Sequence, residues 1–373
     1  MSTQNPNERR RPASGGQRKA AQKRKKNKTR NMVILAIEVL VLILMLVVLW
    51  FVMRVTDKEE GLQKVEIPTE ELVINEGVTE NENLETYRTI ALFGLDSTVG
   101  DLTSNTRSDT IMIASLNSKT KEVKLMSVYR DTYLNLGNDT YNKCNAAYAK
   151  GGPKQAINML NMNLDLDITD FVAVGFKGVA DVVDAVGGVW VEITEKELEH
   201  INNYQIGISE NLKTDYTPVT QTGYQKLDGI QATAYCRIRY GGGDDYRRTE
   251  RQRTILNQIL EQAKKLDVTA LAKIANNVFG NVYTSIDIDE IVSLLGDIVS
   301  YTLVDEGGFP MLEYRATATL GKSVGDSVIC TDLEQAVTEL HKIFFENEEY
   351  TPSATVKEIS STIHKNTDPF LNN

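Results

Sequence analysis

The sequence predicts an α/β fold with a mixed central β-sheet sandwiched by α-helices, preceded by one transmembrane helix. Three observations support this prediction. Strand-like and helix-like apolar patterns alternate from residue 88 onward, glycines follow several of the helical segments, and one uninterrupted apolar run stands apart near the N-terminus. Such alternation is typical of sheets that carry helices on their faces.

The uninterrupted apolar run covers residues 32–53, MVILAIEVLVLILMLVVLWFVM. At about 1.5 Å per residue, a helix of this length extends roughly 33 Å, and the hydrocarbon core of a bilayer is about 30 Å thick. Its single acid, Glu38, lies near one end, where it can reach the head groups. A cleaved signal peptide is the alternative, but the run exceeds the usual length and no small-residue cleavage site follows it. We therefore predict an uncleaved anchor.

The formal net charge of −10 conceals a strong asymmetry. Residues 1–30 contain eleven Lys and Arg and one acid, whereas the rest of the chain contains 30 bases and 50 acids. Basic flanks of a membrane span stay in the cytoplasm, so we predict a single-pass protein of the cell membrane with a cytoplasmic N-terminus and an extracellular domain. Basic tails can also bind nucleic acid. The tail has no aromatics and adjoins the span, which favours contact with anionic lipids and argues against nucleic acid.

The composition divides the chain into five segments. They are a basic cytoplasmic tail (1–31), the membrane span (32–53), an extracellular stalk (54–87), a folded domain (88–346) and a polar C-terminal tail (347–373). The stalk is acidic and nearly free of aromatics, as linkers often are. Three cysteines in an exported domain of this size do not make a disulfide scaffold, and the pattern leaves open one pair or three free thiols.

Within the domain, the apolar patterns predict the order of strands and helices. Strands are expected at 88–96, 109–117, 122–130, 168–176 and 189–194, and helices at 145–164, 177–188, 253–266, 270–279, 288–303 and 331–348. The segment SKTK between the second and third strands predicts a hairpin. Gly-Gly-Pro interrupts the first helix, and glycine follows the second.

An arginine-rich stretch follows these elements, with six arginines between residues 237 and 253. In CRIR, an extended backbone would place Arg237 and Arg239 on one side. A helix that begins near Asp245 would place Arg248 and Gln252 four residues apart on one face. Helix N-termini and guanidinium groups both suit phosphate oxygens, so this stretch predicts an anion site.

The other three arginines of the stretch have two interpretations. Arg251 could lie beside the anion site. Alternatively, Arg247, Arg251 and Arg253 face solvent and pair with nearby acids, which is the usual role of a charged helical face.

Carboxylates at strand ends supply a second indication of phosphate chemistry. Asp96 ends one predicted strand, Asp109 begins the next, and Arg130 and Asp131 follow a third. Each aspartate alone is more often a turn cap. Carboxylates at adjacent strand ends can also share Mg²⁺, which takes phosphate oxygens as its other ligands. Together with the arginines, they predict a diphosphate site.

At this point the sequence resembles a known family. The resemblance rests on seven sequence segments, which are, in order, RTIALFGLDS, TRSDTIMIASLN, VKLMSVYRDTYL, KCNAAYAKGGP, VDAVGGVWVEI, LDGIQATAYCRIR and DYRRTERQR. They match the blocks of the LytR-CpsA-Psr family of bacterial cell-wall proteins, from about residue 88 to about residue 260, and several blocks in one order are more specific than a lone motif. The sequence departs from the family at Tyr129, Cys144 and Thr249, which affects local packing and removes no charged group.

The resemblance implies an α/β fold with a central sheet and a long apolar cleft for a polyprenyl chain. It also implies an activity, a phosphotransferase that moves a phosphorylated glycopolymer from undecaprenyl pyrophosphate to a hydroxyl of peptidoglycan with Mg²⁺ or Mn²⁺. The polymer would be teichoic acid, capsule or a similar glycan. Two alternatives stay open, a lipid-pyrophosphate hydrolase with the same site and a non-enzymatic, membrane-anchored envelope regulator.

The resemblance also assigns residues. It implies that Asp96 and Asp109 hold the metal, that Arg107, Arg130, Arg237, Arg239 and Arg248 bind pyrophosphate, that Asp245 and Gln252 lie nearby, and that Lys143 is a further phosphate neighbour. In the reaction, Arg237 and Arg239 would hold the oxygens that gain charge. Asp131 and Asp245 are both candidates for the group that assists deprotonation of the hydroxyl.

Overall fold

The computed structural model describes residues 63–78, 80, 84–97, 102–103, 105–240 and 245–371. The predicted tail (1–31) and membrane span (32–53) lie outside these residues. Within the described part of the chain, no helix is both long enough and apolar enough to span a bilayer.

The centre of the fold is a seven-stranded sheet. The strands of the described residues are β1 (Gln63–Lys64), β2 (Tyr87–Leu95), β3 (Ser108–Asn117), β4 (Glu122–Val128), β5 (Tyr133–Asn135), β6 (Tyr141–Lys143), β7 (Asp170–Val174), β8 (Val189–Ile193), β9 (Gly223–Leu227), β10 (Val282–Thr284), β11 (Thr302–Phe309), β12 (Arg315–Thr319) and β13 (Asp326–Cys330). The sheet has the order β1-β10-β7-β2-β3-β4-β11. β2, β3 and β4 are antiparallel neighbours, whereas β7 runs parallel to β2 and β11 parallel to β4. The predicted mixed sheet is therefore confirmed.

Helices cover both faces of this sheet. They are α1 (Ala146–Leu164), α2 (Phe176–Ala185), α3 (Glu195–Leu212), α4 (Gly229–Arg237), α5 (Asp245–Ala263), α6 (Val268–Val278), α7 (Ile288–Gly296), α8 (Gly321–Val324), α9 (Leu333–Phe345) and α10 (Ala354–Leu371). Single 3₁₀ turns lie at Thr69–Glu71, Leu84–Thr86, Phe279–Asn281, Ile298–Ser300 and Leu312–Tyr314. Three two-stranded ribbons, β5–β6, β8–β9 and β12–β13, lie outside the central sheet.

The alternation of side chains along the central strands divides them between the two faces. On β2, Ala91, Phe93 and Leu95 belong to the main core together with residues of α1, α9 and α10. Leu92, on the other face, lines an internal cavity, as does Met112 of β3. Since successive side chains of a strand point to opposite faces, one sheet serves both as the floor of the core and as the floor of a cavity.

The first helix has the interruption that its sequence predicts. Gly151 and Gly152 of α1 adopt non-helical backbone angles immediately before Pro153. Gly152 has φ +65°, and a Cβ there would lie 2.6 Å from the carbonyl oxygen of Thr103. A side chain is therefore excluded by conformation and by contact, and the chain around Thr103 can lie directly against the kink.

The folded unit extends beyond its predicted N-terminal bound. The sequence predicts a stalk over 54–87, yet β1 pairs with β10 at the edge of the sheet. Leu72, Val78 and Leu84 are buried in the main core. Three well-spaced apolar side chains are enough to anchor a segment whose overall composition is acidic.

The C-terminal bound is also extended. Residues 347–373 were expected to be a polar tail, but α10 packs against the core with Val356, Ile359 and Ile363 buried. These positions recur at helical spacing, so they form one apolar stripe among serines and threonines. The sequence composition of the segment masks this stripe.

Two further elements differ from the prediction. The helix expected over 288–303 ends at Gly296, and β11 begins at Thr302, where it pairs with β4. The segment CRIR is not a strand, because Arg237 is the last residue of α4. Asp228 and Gln231 form a reciprocal capping box that begins this helix. The three cysteines are all free thiols.

Candidate active site

Two neighbouring cavities share part of their lining. One has a volume of about 390 Å³ and the other about 910 Å³. Asp109 and Arg239 line both of them. We call the first the apolar cavity and the second the polar cavity, because their linings differ in chemistry.

The apolar cavity lies between the sheet and three helices. Its hydrophobic lining comes from β2, β3 and β7 and from α2 and α5, and it consists mainly of Leu92, Met112, Val172, Val174, Phe176, Val179, Ile255, Leu256 and Ile259. Charged residues Arg237, Arg239, Arg248 and Asp109 also line it. The cavity therefore offers apolar surface for a hydrocarbon and a set of charges for a polar head.

Arg248 and Arg130 lie on either side of Asp109. Arg130 Nη1 donates to Asp109 Oδ1 at 2.6 Å, and Arg248 Nη2 donates to the Asp109 carbonyl at 3.0 Å. Asp245, the first residue of α5, is 3.4 Å from Arg248 Nη2 and 3.8 Å from Arg130 Nη2. Residues that are far apart in sequence thus converge in one charged cluster.

Arg237 and Arg239 complete the cluster although the backbone between them is not a strand. Arg237 Nη2 lies 3.9 Å from Asp96, and its guanidinium lies 4.2 Å from the centre of the Phe176 ring. Arg239 Nε lies 3.3 Å from Asp245. The predicted convergence is therefore present, but the end of α4 and the extended residues after it position these two side chains.

The remaining predicted residues line one or the other cavity. Arg107, Arg130, Asp131, Lys143 and Asp245 line the polar cavity. Lys143 Nζ lies 3.4 Å from Asp131. Gln252 lines the apolar cavity, where its amide nitrogen lies 3.4 Å from the Cys236 carbonyl. Every residue predicted for the site thus lies at one of the two cavities.

The electrostatics of the cluster show opposing effects on the two central arginines. Burial lowers the pKa of Arg248, and the nearby cations Arg130 and Arg239 add to this effect against the attraction of Asp245 and Asp109. Burial also disfavours the charged form of Arg130, but attraction by its three neighbouring aspartates outweighs burial and raises its pKa. Arg248 is thus the less well compensated cation.

Several buried polar atoms at the cluster have no hydrogen-bond partner. They are Arg130 Nε, Arg248 Nε, Asp245 Oδ1 and Gln252 Oε1. Buried polar atoms are normally satisfied in native proteins. Two of these atoms, Arg130 Nε and Arg248 Nε, are donors, and the other two are acceptors.

Asp96 and Asp109 both line the polar cavity, which places oxygen donors where the sequence predicts a metal. Within the described residues, no group of three or more His, Cys, Asp or Glu is arranged to hold a metal ion. Mg²⁺ is commonly bound by one or two carboxylates with substrate phosphates as further ligands. A metal site shared by Asp96 and Asp109 stays a prediction, and Asp109 Oδ1 already accepts a hydrogen bond from Arg130.

Two arginines of the stretch have structural roles. Arg251 is buried, and its guanidinium donates to Glu197 at 2.8 Å and to the Ile238 carbonyl at 2.9 Å. Arg253 is buried as well and contacts Asp305 of β11 and Ser127 of β4. Neither faces solvent and neither belongs to the anion cluster, so both interpretations of Arg251 and the solvent-facing interpretation of Arg253 are wrong. Arg247 is exposed.

An aromatic group beside the site has no counterpart in the sequence predictions. Tyr129 and Tyr246 pack edge to face with ring centroids 4.7 Å apart. The Arg315 guanidinium lies 3.7 Å from the centre of the Tyr246 ring and donates to Tyr129 Oη at 2.8 Å. This packing uses Tyr129, one of the departures from the family pattern. Its partners come from three separated segments, so no local pattern identifies them.

The structure defines the class of protein as an α/β fold with a mixed sheet, in which a cluster of arginines and aspartates lies beside an apolar cavity. A sequence model of the LytR_cpsA_psr family matches residues 52–305, and the chain belongs to this family. The resemblance of the sequence blocks is thereby confirmed.

Among curated proteins, the chain is similar to biofilm regulatory protein A of Streptococcus mutans, with 34% identity over 238 residues. That alignment covers 58% of this chain and 56% of the relative. It is also similar to the polyisoprenyl-teichoic acid–peptidoglycan teichoic acid transferase TagU of Enterococcus faecalis, with 31% identity over 211 residues, 56% of this chain and 64% of the relative. The matches thus span less than two thirds of these relatives.

Among solved structures, the chain is similar to the LytR-CPS2A-psr family protein TagT of Bacillus subtilis with bound octaprenyl pyrophosphate lipid. The TM-score is 0.54 at 21% identity, and the match covers 75% of this chain and 99% of that chain. At this level of identity the likeness establishes the fold.

Proposed function

We propose that this protein is a membrane-anchored phosphotransferase. It moves a phosphorylated glycopolymer from a polyprenyl pyrophosphate carrier to a hydroxyl of peptidoglycan. One observation carries the proposal, namely that the arginine cluster lies where the apolar cavity meets the polar cavity. A lipid pyrophosphate linked to a glycan has the same order of parts, an apolar tail, a diphosphate and a polar polymer.

The charge balance of the cluster supports a diphosphate. The two cavities are lined by six cations, Arg107, Arg130, Lys143, Arg237, Arg239 and Arg248, and by five carboxylates, Asp96, Asp109, Asp131, Asp245 and Asp326. One positive charge therefore remains, and the one carboxylate without a cation among the described residues, Asp326, lies on the ribbon β12–β13. Guanidinium groups match phosphate oxygens in geometry, and Arg237 and Arg239, which line the cavities, are only partly buried.

In the proposed reaction, the acceptor hydroxyl oxygen forms a bond to the phosphorus that carries the glycan. The bond from this phosphorus to the bridging oxygen breaks, and the lipid leaves as its monophosphate. Arg237 and Arg239 hold oxygens on which negative charge develops. Mg²⁺ or Mn²⁺ held by Asp96 and Asp109 would neutralise phosphate charge when bound.

The hydroxyl proton needs an acceptor, for which Asp131 and Asp245 are the candidates from the sequence. Asp245 is within 4 Å of Arg130, Arg239 and Arg248, so its carboxylate serves to position these guanidinium groups. Asp131 is bordered by Lys143 at 3.4 Å and Arg130 at 3.6 Å and lines the polar cavity. We assign proton acceptance to Asp131.

The names of relatives support the same class of reaction. TagU of E. faecalis is named a transferase that acts between polyisoprenyl-linked teichoic acid and peptidoglycan. The similar TagT structure holds octaprenyl pyrophosphate lipid. The apolar segment 32–53 and its basic flank would anchor the domain on the outer side of the membrane.

A transfer assay tests the proposal. Full-length protein in detergent is given labelled polyprenyl-pyrophosphate-linked glycan, with and without peptidoglycan oligomers. We expect label on peptidoglycan only when the acceptor is present, and a loss of about 10² to 10³ in rate for Arg237→Ala or Arg239→Ala. Arg247→Ala, an exposed arginine of the same stretch, is the matched control and should retain the wild-type rate.

Other outcomes separate the alternatives. Release of glycan phosphate at equal rates with and without acceptor would identify a lipid-pyrophosphate hydrolase. Full activity of the Arg237→Ala/Arg239→Ala double variant would refute the assignment of the site. Binding of the lipid without any turnover would favour a regulatory protein.

A further inference from the structure

The lining of the polar cavity has two chemically different parts. One part carries the arginines and the lysine of the proposed head-group site. The other comes from the ribbon β12–β13, which contributes Thr317, Ala318, Thr319, Asp326, Ser327 and Val328. None of these six residues is a cation, so this part of the cavity is unsuited to phosphate.

The register of the ribbon determines which side chains share a face. Thr317 pairs with Val328, and Thr319 pairs with Asp326. Directly paired residues point to the same face of a ribbon. Thr317, Thr319 and Asp326 are exposed, whereas Ala318, which lies between the two threonines, packs against the main core. The exposed side chains of this face are therefore two hydroxyls and one carboxylate, and Val328, on the same face, is buried.

The ribbon is attached directly to the segment that carries Arg130 and Asp131. The Val328 amide donates to the Asp131 carbonyl at 2.9 Å, and Thr132 forms a parallel bridge with Val328. At the other strand, Arg315 is held against Tyr246, the neighbour of Asp245 in α5. The hydroxyl face is thus held in a defined position relative to the charged cluster.

Asp326 differs from the other carboxylates of the cavity. Asp96, Asp109, Asp131 and Asp245 each have a cationic nitrogen within 4 Å. Within the described residues, Asp326 has no such cation, and its Oδ1 accepts a hydrogen bond from Thr319 Oγ1 at 2.5 Å. A carboxylate without a cationic partner keeps lone pairs for hydroxyl donors.

We propose that the exposed face of β12–β13 is the subsite for the hydroxyl-bearing acceptor sugar. The inference rests on the proposed function and names the wall that holds the second substrate. Neutral sugars are recognised through their hydroxyls, which both donate and accept, and threonine hydroxyls with one carboxylate supply the matching groups. The negative charge of Asp326 also repels phosphate, which favours binding of the phosphate at the arginines. The family match ends at residue 305, so this subsite lies outside the matched segment.

Equilibrium binding tests the subsite apart from the reaction. The probe is a soluble disaccharide peptide of N-acetylglucosamine and N-acetylmuramic acid, titrated into the full-length protein, and inorganic pyrophosphate is titrated separately. Asp326→Asn and the double variant Thr317→Val/Thr319→Val should each weaken binding of the disaccharide peptide about tenfold. Pyrophosphate should bind these variants no more weakly than the wild type. Lys322→Ala, at an exposed position of the short helix α8 that connects β12 to β13, is the matched control.

In the transfer assay, the same variants should raise KM for the acceptor and leave KM for the lipid donor within about twofold of the wild type. The subsite is overturned if the wild type binds no disaccharide peptide, or if the Thr317→Val/Thr319→Val variant binds it as well as the wild type. Failure of the proposed function has a different signature. The disaccharide peptide would still bind in a ribbon-dependent manner, but the wild type would catalyse no transfer.

Discussion

Arg130 and Arg248 both donate hydrogen bonds to Asp109. The first donates to its carboxylate at 2.6 Å, and the second donates to its carbonyl at 3.0 Å. Two largely buried guanidinium groups are thereby held close together, which is costly without an anion between them. The arrangement prepares positive charge before a ligand arrives.

Asp109→Asn should lower the melting temperature of the domain by several degrees, because it removes the negative charge between the two arginines. Inorganic pyrophosphate, added in the presence of EDTA, should restore stability and should raise the melting temperature more in the variant than in the wild type. Differential scanning calorimetry provides the measurement. Asp287→Asn, which removes an exposed ion pair with Lys64, is the control and should change little. A variant that does not respond to pyrophosphate would contradict the anion site.

Leu256→Trp should separate the two halves of the ligand. Leu256 lines the apolar cavity, whose volume is about 390 Å³, and an indole there would occupy space needed by isoprenoid carbons. We expect the Kd of farnesyl diphosphate to rise about tenfold or more, since each buried methylene contributes about 0.8 kcal/mol. The Kd of inorganic pyrophosphate should not change. Val299→Trp, at an exposed position, is the matched control. Equal weakening of both ligands would argue against an apolar tail site.

Arg251→Met should destabilise the fold strongly. It leaves Glu197, only 6% exposed, without its cationic partner. Loss of one member of a buried ion pair typically costs about 3–5 kcal/mol. Chemical unfolding followed by circular dichroism measures the change. The double variant Arg251→Met/Glu197→Gln should recover part of the loss, whereas Arg247→Ala should stay within about 0.5 kcal/mol of the wild type. A wild-type stability for Arg251→Met would mean that the pair is not buried in solution.

His341 should make stability depend on pH. Burial lowers its pKa from the ordinary value of 6.5 to about 4, and the hydrogen bond to the Leu164 carbonyl offsets burial only in part. The unfolded chain therefore binds the proton more readily, so the free energy of unfolding should fall as the pH is lowered from about 6.5 to about 4. The slope from this group approaches about 1.4 kcal/mol for each pH unit within that window.

The comparison that isolates this effect uses His341→Gln, which retains an N–H donor for the Leu164 carbonyl. Urea unfolding at pH 7.0, 6.0 and 5.0 gives the free energy of unfolding of each protein. Between pH 7.0 and 5.0 this free energy should fall less in the variant than in the wild type. Parallel pH profiles of the two proteins would show that His341 is accessible to protons in the folded state.

The sequence predicted those parts of the molecule that depend on local periodicity. The central strands, the hairpin between β3 and β4 and the kink of α1 follow from alternation, a turn signal and Gly-Gly-Pro. The spacing of Arg248 and Gln252 correctly placed both at the internal cavity. The convergence of Asp96, Asp109 and the arginines was also predicted. That prediction used both the positions of these residues at strand ends and the resemblance to the family.

What the sequence could not provide depends on contacts between distant segments. Arg251 and Arg248 are three residues apart and chemically identical, and only Glu197 of α3 and Asp109 of β3 distinguish their roles. The apolar stripe of α10 becomes meaningful only when the core that receives it is known. The start of α4 could have been predicted from the sequence, because Asp228 and Gln231 have capping-box spacing. The alternating CRIR segment instead led to the prediction of a strand.

The position of Asp109 and Arg239 at the boundary of both cavities has a consequence for turnover. Under the proposed reaction, the spent carrier and the finished polymer never compete for one exit. The lipid carrier can leave through the apolar cavity. The polymer, now bonded to peptidoglycan, leaves through the polar cavity. A bulky glycan on one side therefore places no obstacle in the path by which the lipid is recycled.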